Sequence, residues 1–262
     1  MLKKRLIPVL LLRNGLLVRS ELFRIHQIIG DPIHEVQRFN EWNVDELIYL
    51  DIGLHDHVEA RRDDHKTPEL GGPLGILDAV SQRCFMPLTW GGRIKTVEDM
   101  RERISRGADK ITINSEAVRD PQLITEGAKI FGSQAMVVSI DVWRHEDGKT
   151  EVFTDGGRTG TGLDPVEWVR RCEDAGAGEI LVQAIRRDGT GEGYDLDLIH
   201  QLSHAITVPL IACSGVGRFE DYAKGIEAGA SAVAAANLWH FKELADRQGK
   251  RALAKAGINI RL

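Results

Sequence analysis

The sequence is poor in cysteine, with Cys84, Cys172 and Cys213 as the three among its 262 residues. Three is an odd number and too few for a disulfide framework, which indicates a reducing compartment. An excess of positive charge is also lacking, since 34 Lys and Arg residues oppose 39 Asp and Glu residues, for a formal charge of −5. This balance excludes a general attraction to nucleic acid or to an anionic membrane surface, so any basic site must be local.

Long hydrophobic runs and linker segments are lacking as well. The basic start, MLKKR, leads into an apolar run over Leu6–Leu12 that is too short to span a bilayer and lacks a small-residue cleavage site. No stretch rich in Ser, Gly and Pro interrupts the chain. We therefore expect a cytoplasmic protein with no membrane or nucleic-acid partner, folded as a single domain over residues 1–262.

What the sequence does contain is an alternation of short apolar runs and amphipathic segments. Eight apolar runs separated by helical patterns predict a parallel sheet covered on both faces, here a (β/α)8 TIM barrel. An open doubly wound sheet is the alternative, but it usually has fewer strands in this length. The predicted strands are Arg5–Leu12, Glu46–Ile52, Pro87–Trp90, Lys110–Asn114, Gln134–Asp141, Glu179–Ile185, Pro209–Cys213 and Ala232–Ala236. The predicted helices are Pro32–Trp42, Val97–Arg106, Pro121–Phe131, Pro165–Ala175, Asp197–Ala205 and Phe219–Ala228.

A repeat at about half the chain length supports the barrel. Residues 87–115 align without a gap on residues 209–237, at an offset of 122, and Pro-Leu, Glu-Asp and Gly-Ala pairs coincide in both segments. Two strand–helix units can look alike by chance, but three coinciding pairs in a gapless alignment make that explanation weak. The repeat therefore predicts a barrel built from two half-barrels of four units each.

Small residues follow the predicted seventh and eighth strands, the place where barrels of this kind commonly bind phosphate. Backbone N–H groups can approach an anion closely there, and we favour this interpretation over the alternative of a tight turn that needs glycine for its backbone angles. The half-length repeat then predicts a second, symmetry-related site, so the ligand would be long and carry phosphates at both ends. The predicted residues are Ser214, Gly215, Gly217, Ala236 and Asn237 in one site, and Gly91, Gly92, Arg93, Asn114 and Ser115 in the other. Arg93 either strengthens anion binding or fills the pocket.

Carboxylates end two adjacent strands, Asp141 after the fifth and Asp188 after the sixth. One such residue is often a helix cap, but two beside each other near the barrel axis are better interpreted as general acid/base groups. Asp51 closes the second strand, where it either serves similarly or orients a neighbour.

A cluster of His55, His57 and His65 among acidic residues follows the second strand. The His-x-His spacing could bind a metal, but no second ligand set at a fixed spacing accompanies it. We interpret the segment as a solvated lid of mixed charge, and we predict no metal and no cofactor.

The chain resembles the cyclase subunit of imidazole glycerol phosphate synthase (HisF) over its whole length. The matching stretches include KRLIPVLLLRNG, VDELIYLDI, RGADKITINSEAV, FGSQAMVVSID and GAGEILVQAIRRDGTGEGYD. The resemblance implies a barrel that docks a HisH-like glutaminase subunit at its N-terminal face. Ammonia would then pass through the barrel to a phosphorylated small-molecule substrate at the C-terminal face.

The resemblance also implies roles for particular residues. Arg5, Glu46, Lys110 and Glu179 would form a charged ammonia gate at the bottom of the barrel, and Asp109 would face the glutaminase. A purely structural ring of salt bridges is the alternative for the gate, since four inward charges are costly unless mutually paired. Asp141 and Asp188 match the catalytic and substrate-binding positions, as do Gly189 and the glycines of the phosphate loops.

Three positions depart from the family pattern. Where the family reads Leu-Asp-Val in the first strand, this chain reads Leu10-Leu11-Leu12, so the second catalytic aspartate is replaced by Leu11. A leucine transfers no proton, whereas acid/base groups typically contribute 10²–10⁴-fold to a rate. Arg19 stands for a substrate-binding lysine of the first loop, and Arg93 stands for a glycine. This pattern resembles the HisF paralogues of the WbuZ type, which act in amidation of surface-polysaccharide sugars.

Three hypotheses follow for the function. We expect first an ammonia-receiving synthase subunit that acts with a glutaminase in the amidation of a surface-polysaccharide sugar. The second is a true cyclase and lyase of histidine biosynthesis that uses Asp141 with a substitute acid, Asp188 or Arg19. The third is a non-catalytic conduit that delivers ammonia to another protein.

Overall fold

Eight parallel strands close into a barrel in the computed structural model, which describes residues 3–42, 44–53 and 70–261. The ring closes because the first barrel strand pairs with the last, and each strand pairs in parallel with the next around the ring. The predicted (β/α)8 barrel is thereby confirmed. The barrel strands are β1 (Arg5–Arg13), β4 (Leu47–Asp51), β5 (Leu88–Gly91), β6 (Lys110–Ile113), β7 (Met136–Arg144), β10 (Glu179–Ala184), β11 (Leu210–Cys213) and β12 (Ala232–Ala235).

Two antiparallel extensions grow from opposite sides of this ring. After β1 the chain forms β2 (Leu16–Glu21) and β3 (Ile25–Gly30), and after β7 it forms β8 (Thr150–Thr154) and β9 (Thr159–Gly160). The extensions were not predicted. They make β7 longer than the predicted strand, because its last residues pair with β8 beyond the rim of the barrel.

Helices cover the outside of the barrel, and their starts follow local chemistry. Asp31 and Asp164 each accept two backbone N–H groups ahead of a helix that begins with proline, and Thr96 forms a capping box with Asp99. The helices are α1 (Pro32–Glu41), α2 (Pro73–Ser81), α3 (Val97–Ser105), α4 (Ser115–Arg119), α5 (Gln122–Phe131), α6 (Pro165–Asp174), α7 (Leu196–Ala205), α8 (Glu220–Glu227), α9 (Asn237–Phe241) and α10 (Ala245–Lys255). All six predicted helices are present within a few residues of their predicted ends.

The half-length repeat is visible in the backbone. Strands β5 and β6 lie at the offset of 122 from β11 and β12, and the short helices α4 and α9 lie at the same offset. Gly107 and Gly229, also 122 apart, have φ values of +105° and +116°. The two aligned segments thus fold as equivalent strand–helix–strand units.

Apolar side chains pack in two layers. Alternate strand residues such as Leu6 and Leu10 face outward against the helices, while Ile7 and Val9 face into the barrel. The inner set fills the barrel between its two ends, so the barrel is a packed core with chemistry at either rim. Within the described residues, none of the helices combines the length and the apolar character needed to cross a membrane.

Candidate functional site

A cavity of about 1570 Å³ opens at the carboxyl ends of the barrel strands. In barrels of this architecture the loops at this rim carry the chemistry. Most of the sequence-predicted ligand residues line it: Gly92, Arg93, Asn114, Ser115, Asp141, Asp188, Gly189, Ser214, Gly215, Ala236 and Asn237. Residues from both halves of the chain, predicted from the repeat and from the strand ends, therefore line the same cavity.

Asp141 lies on the inner face of β7 and is almost completely buried. Its carboxylate accepts a hydrogen bond from Gln183 Nε2 at 3.1 Å and another from the Asn114 side chain. Burial outweighs these two hydrogen bonds and raises the pKa of Asp141 to about 7, with a further contribution from the charge of Asp188. A carboxyl group with this pKa can both accept and donate a proton near neutral pH.

Leu11 occupies the opposite wall of the same cavity. Its strand, β1, lies four positions around the eight-stranded ring from β7, and Leu11 itself lines the cavity. The register pairs Leu11 with Leu50 on β4, whereas Asp141 pairs with Gln183 on β10. One side of the cavity therefore presents a carboxyl group hydrogen-bonded to an amide, and the other presents two leucines.

Asp188 holds the β2–β3 hairpin against the cavity. Its Oδ2 accepts the Ser20 hydroxyl at 2.7 Å and the Phe23 backbone N–H at 3.1 Å, and its carbonyl oxygen accepts the Leu22 N–H. Burial raises the pKa of Asp188 despite these bonds. Asp188, predicted as a second acid/base group, thus also fixes the hairpin through these three contacts.

The β2–β3 hairpin also receives Asn237. The Asn237 side chain donates to the Ser20 carbonyl at 2.8 Å, and its own oxygen lies 3.4 Å from the Ser20 nitrogen. In the other half, the Ser115 hydroxyl accepts the Asp155 N–H at 2.9 Å. Both side chains, predicted to bind phosphate, are therefore engaged in fixing the two extensions, and anion binding at these positions would fall to backbone groups.

Arg93 forms an ion pair with Asp51 inside the cavity. The Arg93 Nε lies 3.0 Å from Asp51 Oδ2, and the Asp51 side chain is 3 % exposed. Asp51 Oδ1 accepts the Gly53 N–H at 3.0 Å, which fixes the carboxylate to the end of β4. Of the two roles left open for Asp51, orienting a neighbour is the one that the geometry shows.

Three predicted residues are placed outside the cavity lining. Arg19 points away because neighbouring strand residues alternate in direction: Ser20 faces the cavity, and Arg19 Nε donates to Gln27 on β3 at 2.6 Å. Gly91 packs within the barrel, where a Cβ would meet Thr112 and Leu50. Gly217 packs against the Gly191 carbonyl. The ligand-binding role that the resemblance implies for Arg19 stays a prediction, and in this structure the Arg19 side chain contacts Gln27.

Four charges close the other end of the barrel. Arg5, Glu46, Lys110 and Glu179 stand at the amino-terminal ends of β1, β4, β6 and β10, and each cation contacts both carboxylates at 2.6–3.3 Å. Burial alone lowers the pKa of Arg5, but the two carboxylates more than compensate and raise it. Asp109 lies beside Lys110, exposed, and accepts the Leu88 N–H at 2.8 Å.

No group of three or more His, Cys, Asp or Glu side chains able to hold a metal occurs in the described part of the chain. His55, His57 and His65, considered as a metal site or a lid, lie outside the described residues.

Sequence reasoning missed Gln183, Ser20 and Phe23. Gln183 follows three apolar strand residues, so its polar character inside a buried strand was an available signal. Ser20 and Phe23 carry no such signal, because their contacts to Asp188 join residues more than 160 positions apart.

Comparison with known proteins places these features in a family. The family model described as histidine biosynthesis protein matches residues 5–245. The imidazole glycerol phosphate synthase subunit HisF of Alkaliphilus metalliredigens is 42 % identical over 262 residues, covering all of both chains. The HisF subunit of Gluconacetobacter diazotrophicus is 41 % identical over 264 residues, covering all of this chain and 97 % of the relative.

Proposed function

This chain belongs to the histidine biosynthesis protein family, and from that premise we propose that it is the HisF-like synthase subunit of an imidazole glycerol phosphate synthase. In this proposal it uses ammonia from a HisH-like glutaminase on a phosphorylated small molecule held in the cavity. The observation that carries the proposal is Asp141, a buried carboxyl with a pKa of about 7 at the rim where barrel enzymes do their chemistry. The full-length identity to two HisF subunits supports the choice of reaction.

The chemistry assigned to the chain is proton transfer. Addition of ammonia to a carbon atom of the ligand leaves an excess proton on the nitrogen, and Asp141 can take it when ionised. Gln183 and Asn114 hold the carboxylate in one orientation, so the proton acceptor is fixed before the ligand arrives. Leu11 and Leu50 exclude water from the opposite wall but take no part in proton transfer.

The charged ring supports the assignment of the partner's side. Its four side chains are 10–21 % exposed, at the end of the barrel opposite the cavity. A glutaminase seated there would release ammonia at the ring, with exposed Asp109 at the margin of the contact. The proposal includes the passage of this ammonia through the interior of the barrel to the cavity.

The test supplies ammonium salts in place of the glutaminase and follows turnover of the ribonucleotide substrate of imidazole glycerol phosphate synthase. We expect measurable turnover that falls 10²–10⁴-fold in Asp141→Asn, because a positioned proton-transfer group contributes about that much. Asp147→Asn, on an exposed turn beyond the same strand, is the matched control and should leave the rate unchanged. Turnover that survives Asp141→Asn contradicts the assignment.

A second candidate rests on Leu11. With a leucine where the resemblance places an acid, the same ammonia-receiving subunit would serve a different acceptor, in the amidation of a surface-polysaccharide sugar. The variant Leu11→Asp separates the two: it should raise ribonucleotide turnover if the first function holds. If the wild type and Leu11→Asp are both inactive on the ribonucleotide, yet a glutaminase partner is stimulated by the chain, the second candidate is favoured.

A further inference from the structure

The β2–β3 hairpin brings a histidine, His26, to the wall of the cavity. His26 on β3 pairs directly with Ser20 on β2, and residues paired in this way project from the same face of a sheet. Ser20 faces the cavity, and both side chains line it. Among the described residues that line the cavity, His26 is the one histidine. The cavity therefore contains an imidazole in addition to the carboxyl group of Asp141.

The hairpin is fixed on both sides of its turn, and this fixes the position of His26. The Asp188 carboxylate accepts the Ser20 hydroxyl at 2.7 Å on β2 and the Phe23 N–H at 3.1 Å in the turn that leads into β3. The His26 ring itself forms a hydrogen bond with the Arg24 backbone. Because the strand and the ring are both held, the imidazole is oriented before a ligand arrives.

The hydrogen bond to Arg24 leaves one ring nitrogen of His26 available. It raises the pKa of the imidazole, as a bond from a ring N–H to a carbonyl oxygen does, so one nitrogen donates and the other carries a lone pair in the neutral ring. Within the described residues, no hydrogen-bond donor reaches that second nitrogen. Burial, and then the nearby charge of Arg13, nevertheless lower the pKa of His26 overall. The ring is therefore neutral near pH 7, with a lone pair that can accept a proton.

The chemistry of ammonia addition calls for a second proton-transfer group in the cavity. When ammonia adds to a carbonyl carbon and the oxygen leaves as water, a C=N bond replaces the C=O bond, and two protons pass from the nitrogen to the departing oxygen. Asp141 can carry one of these protons. Leu11, on the opposite wall, carries none. The other proton therefore needs a group that is oriented in the cavity and neutral near pH 7, which describes His26.

We propose that His26 is a second catalytic residue of the cavity, whose lone-pair nitrogen takes one proton from the ammonia nitrogen and gives it to the departing oxygen. Asp141 carries the other proton, and both side chains end the step in the protonation state in which they began it. This inference rests on the proposed function and deepens it, because it supplies an acid/base group on the hairpin in place of one at Leu11.

The first experiment measures kcat and KM of the full chain for the ribonucleotide substrate, with ammonium salts as the ammonia source. In His26→Gln the side-chain amide can still donate to the Arg24 carbonyl oxygen, but it transfers no proton. We expect kcat to fall about 100-fold, the lower end of what a positioned proton-transfer group contributes, with KM nearly unchanged. His34→Gln, at an exposed position on α1, is the matched control and should leave both constants unchanged.

A second variant separates proton transfer from support of the hairpin. His26→Ala removes the ring and leaves space beside the cavity, so imidazole added to the solution should restore part of the lost kcat. A residue that only supported the hairpin would show no such rescue. Hydrogen exchange of the β2 and β3 amides verifies that the hairpin is intact in both variants.

The outcomes distinguish this role from the proposed function. Wild-type kcat in His26→Gln, or a rise in KM alone, overturns the role of His26 and leaves the function based on Asp141 standing. A loss of kcat that imidazole does not restore in His26→Ala also overturns it, because the ring then acts through the structure of the hairpin. Absence of turnover in the wild type overturns the proposed function and the role of His26 together.

Discussion

At the scale of single residues, the site depends on a carboxyl group that the fold keeps partly protonated. Asp141 is buried, and the hydrogen bonds from Gln183 and Asn114 offset only part of the free-energy cost of its charge. The same burial that makes it a usable proton-transfer group near pH 7 makes it a source of instability when it ionises.

The stability of Asp141→Asn relative to the wild type should depend on pH. The pKa of Asp141 is raised above its unfolded value, so the native state binds the extra proton and the wild type loses stability as pH rises from about 4 to about 7. Asn has no such loss, and the variant should gain on the wild type by up to about 4 kcal/mol over that window, the equivalent of about three pKa units. Urea unfolding at pH 4.5, 6 and 8 measures this, and a difference that stays constant with pH contradicts the buried, protonated carboxyl.

A second prediction at this scale separates backbone strain from steric clash. Gly92→Ala should destabilise by more than about 3 kcal/mol, since it adds a clash with the Asp51 carbonyl oxygen to the cost of a positive φ. Gly148→Ala is the matched control, because Gly148 has a φ of +86° with nothing within 4 Å of a Cβ, and it should cost only about 1–2 kcal/mol. Thermal unfolding measures both stability losses, and equal losses in the two variants would show that the close approach of the β5 loop to β4 does not add to the cost of Gly92→Ala.

At the scale of elements, the β2–β3 hairpin has a turn whose backbone conformation its own residues disfavour. Its turn places Leu22 and Phe23 at φ values of +54° and +59°, the arrangement of a type I′ turn that usually selects Asn-Gly. Asp188 holds this turn by three hydrogen bonds. Phe23 also contacts the β8–β9 turn, since a Cβ on Gly157 would lie 3.2 Å from its ring, so the two extensions meet over the cavity.

Leu22→Asn should therefore stabilise the hairpin by up to about 1 kcal/mol, because Asn adopts positive φ more easily than Leu. Hydrogen exchange of the β2 and β3 amides should slow about fivefold, by the same free energy. Ser20→Ala, which removes the Oγ–Asp188 bond, should change exchange in the opposite direction. Faster exchange in Leu22→Asn would mean that Leu22 packing outweighs the strain.

The elements also show how far sequence reasoning reaches. Strands such as β5 and β11 were predictable because each buried apolar run and its repeat at an offset of 122 carry the signal locally. The hairpin was not, because Leu-Phe is no hairpin signature and its support comes from Asp188, far away in the chain. For the same reason the sequence predicted that Asp188 lies at the rim but not that its carboxylate is occupied. The Arg93–Asp51 ion pair was likewise not predictable, because it joins residues from the ends of two different strands.

At the scale of the whole molecule, the formal charge of −5 averages over two very different ends. The cavity end combines a partly protonated carboxyl, an ion pair and backbone donors, while the other end carries a ring of two cations and two carboxylates with no net charge. Between them the interior is apolar on the side of β1 and β4, and polar around Ser139 and Gln183. Stability alone does not explain inward charges at this position, because well-packed apolar side chains in place of such networks often give an equally stable protein.

The free energy of unfolding should therefore fall more when one charge of the ring is removed than when a cation and a carboxylate are removed together. Glu46→Gln leaves Arg5 and Lys110 facing the single carboxylate of Glu179, and the uncompensated charge should cost about 2–4 kcal/mol in the free energy of unfolding. Adding Lys110→Met to that variant restores neutrality and should recover at least half of the loss, so the two effects are not additive. Urea unfolding of the two single variants and the double variant completes the cycle, with Arg101→Met plus Glu98→Gln as an exposed pair for comparison. If the losses at the ring simply add, as they should at the exposed pair, the four charges act independently and the ring is not an energetically coupled network.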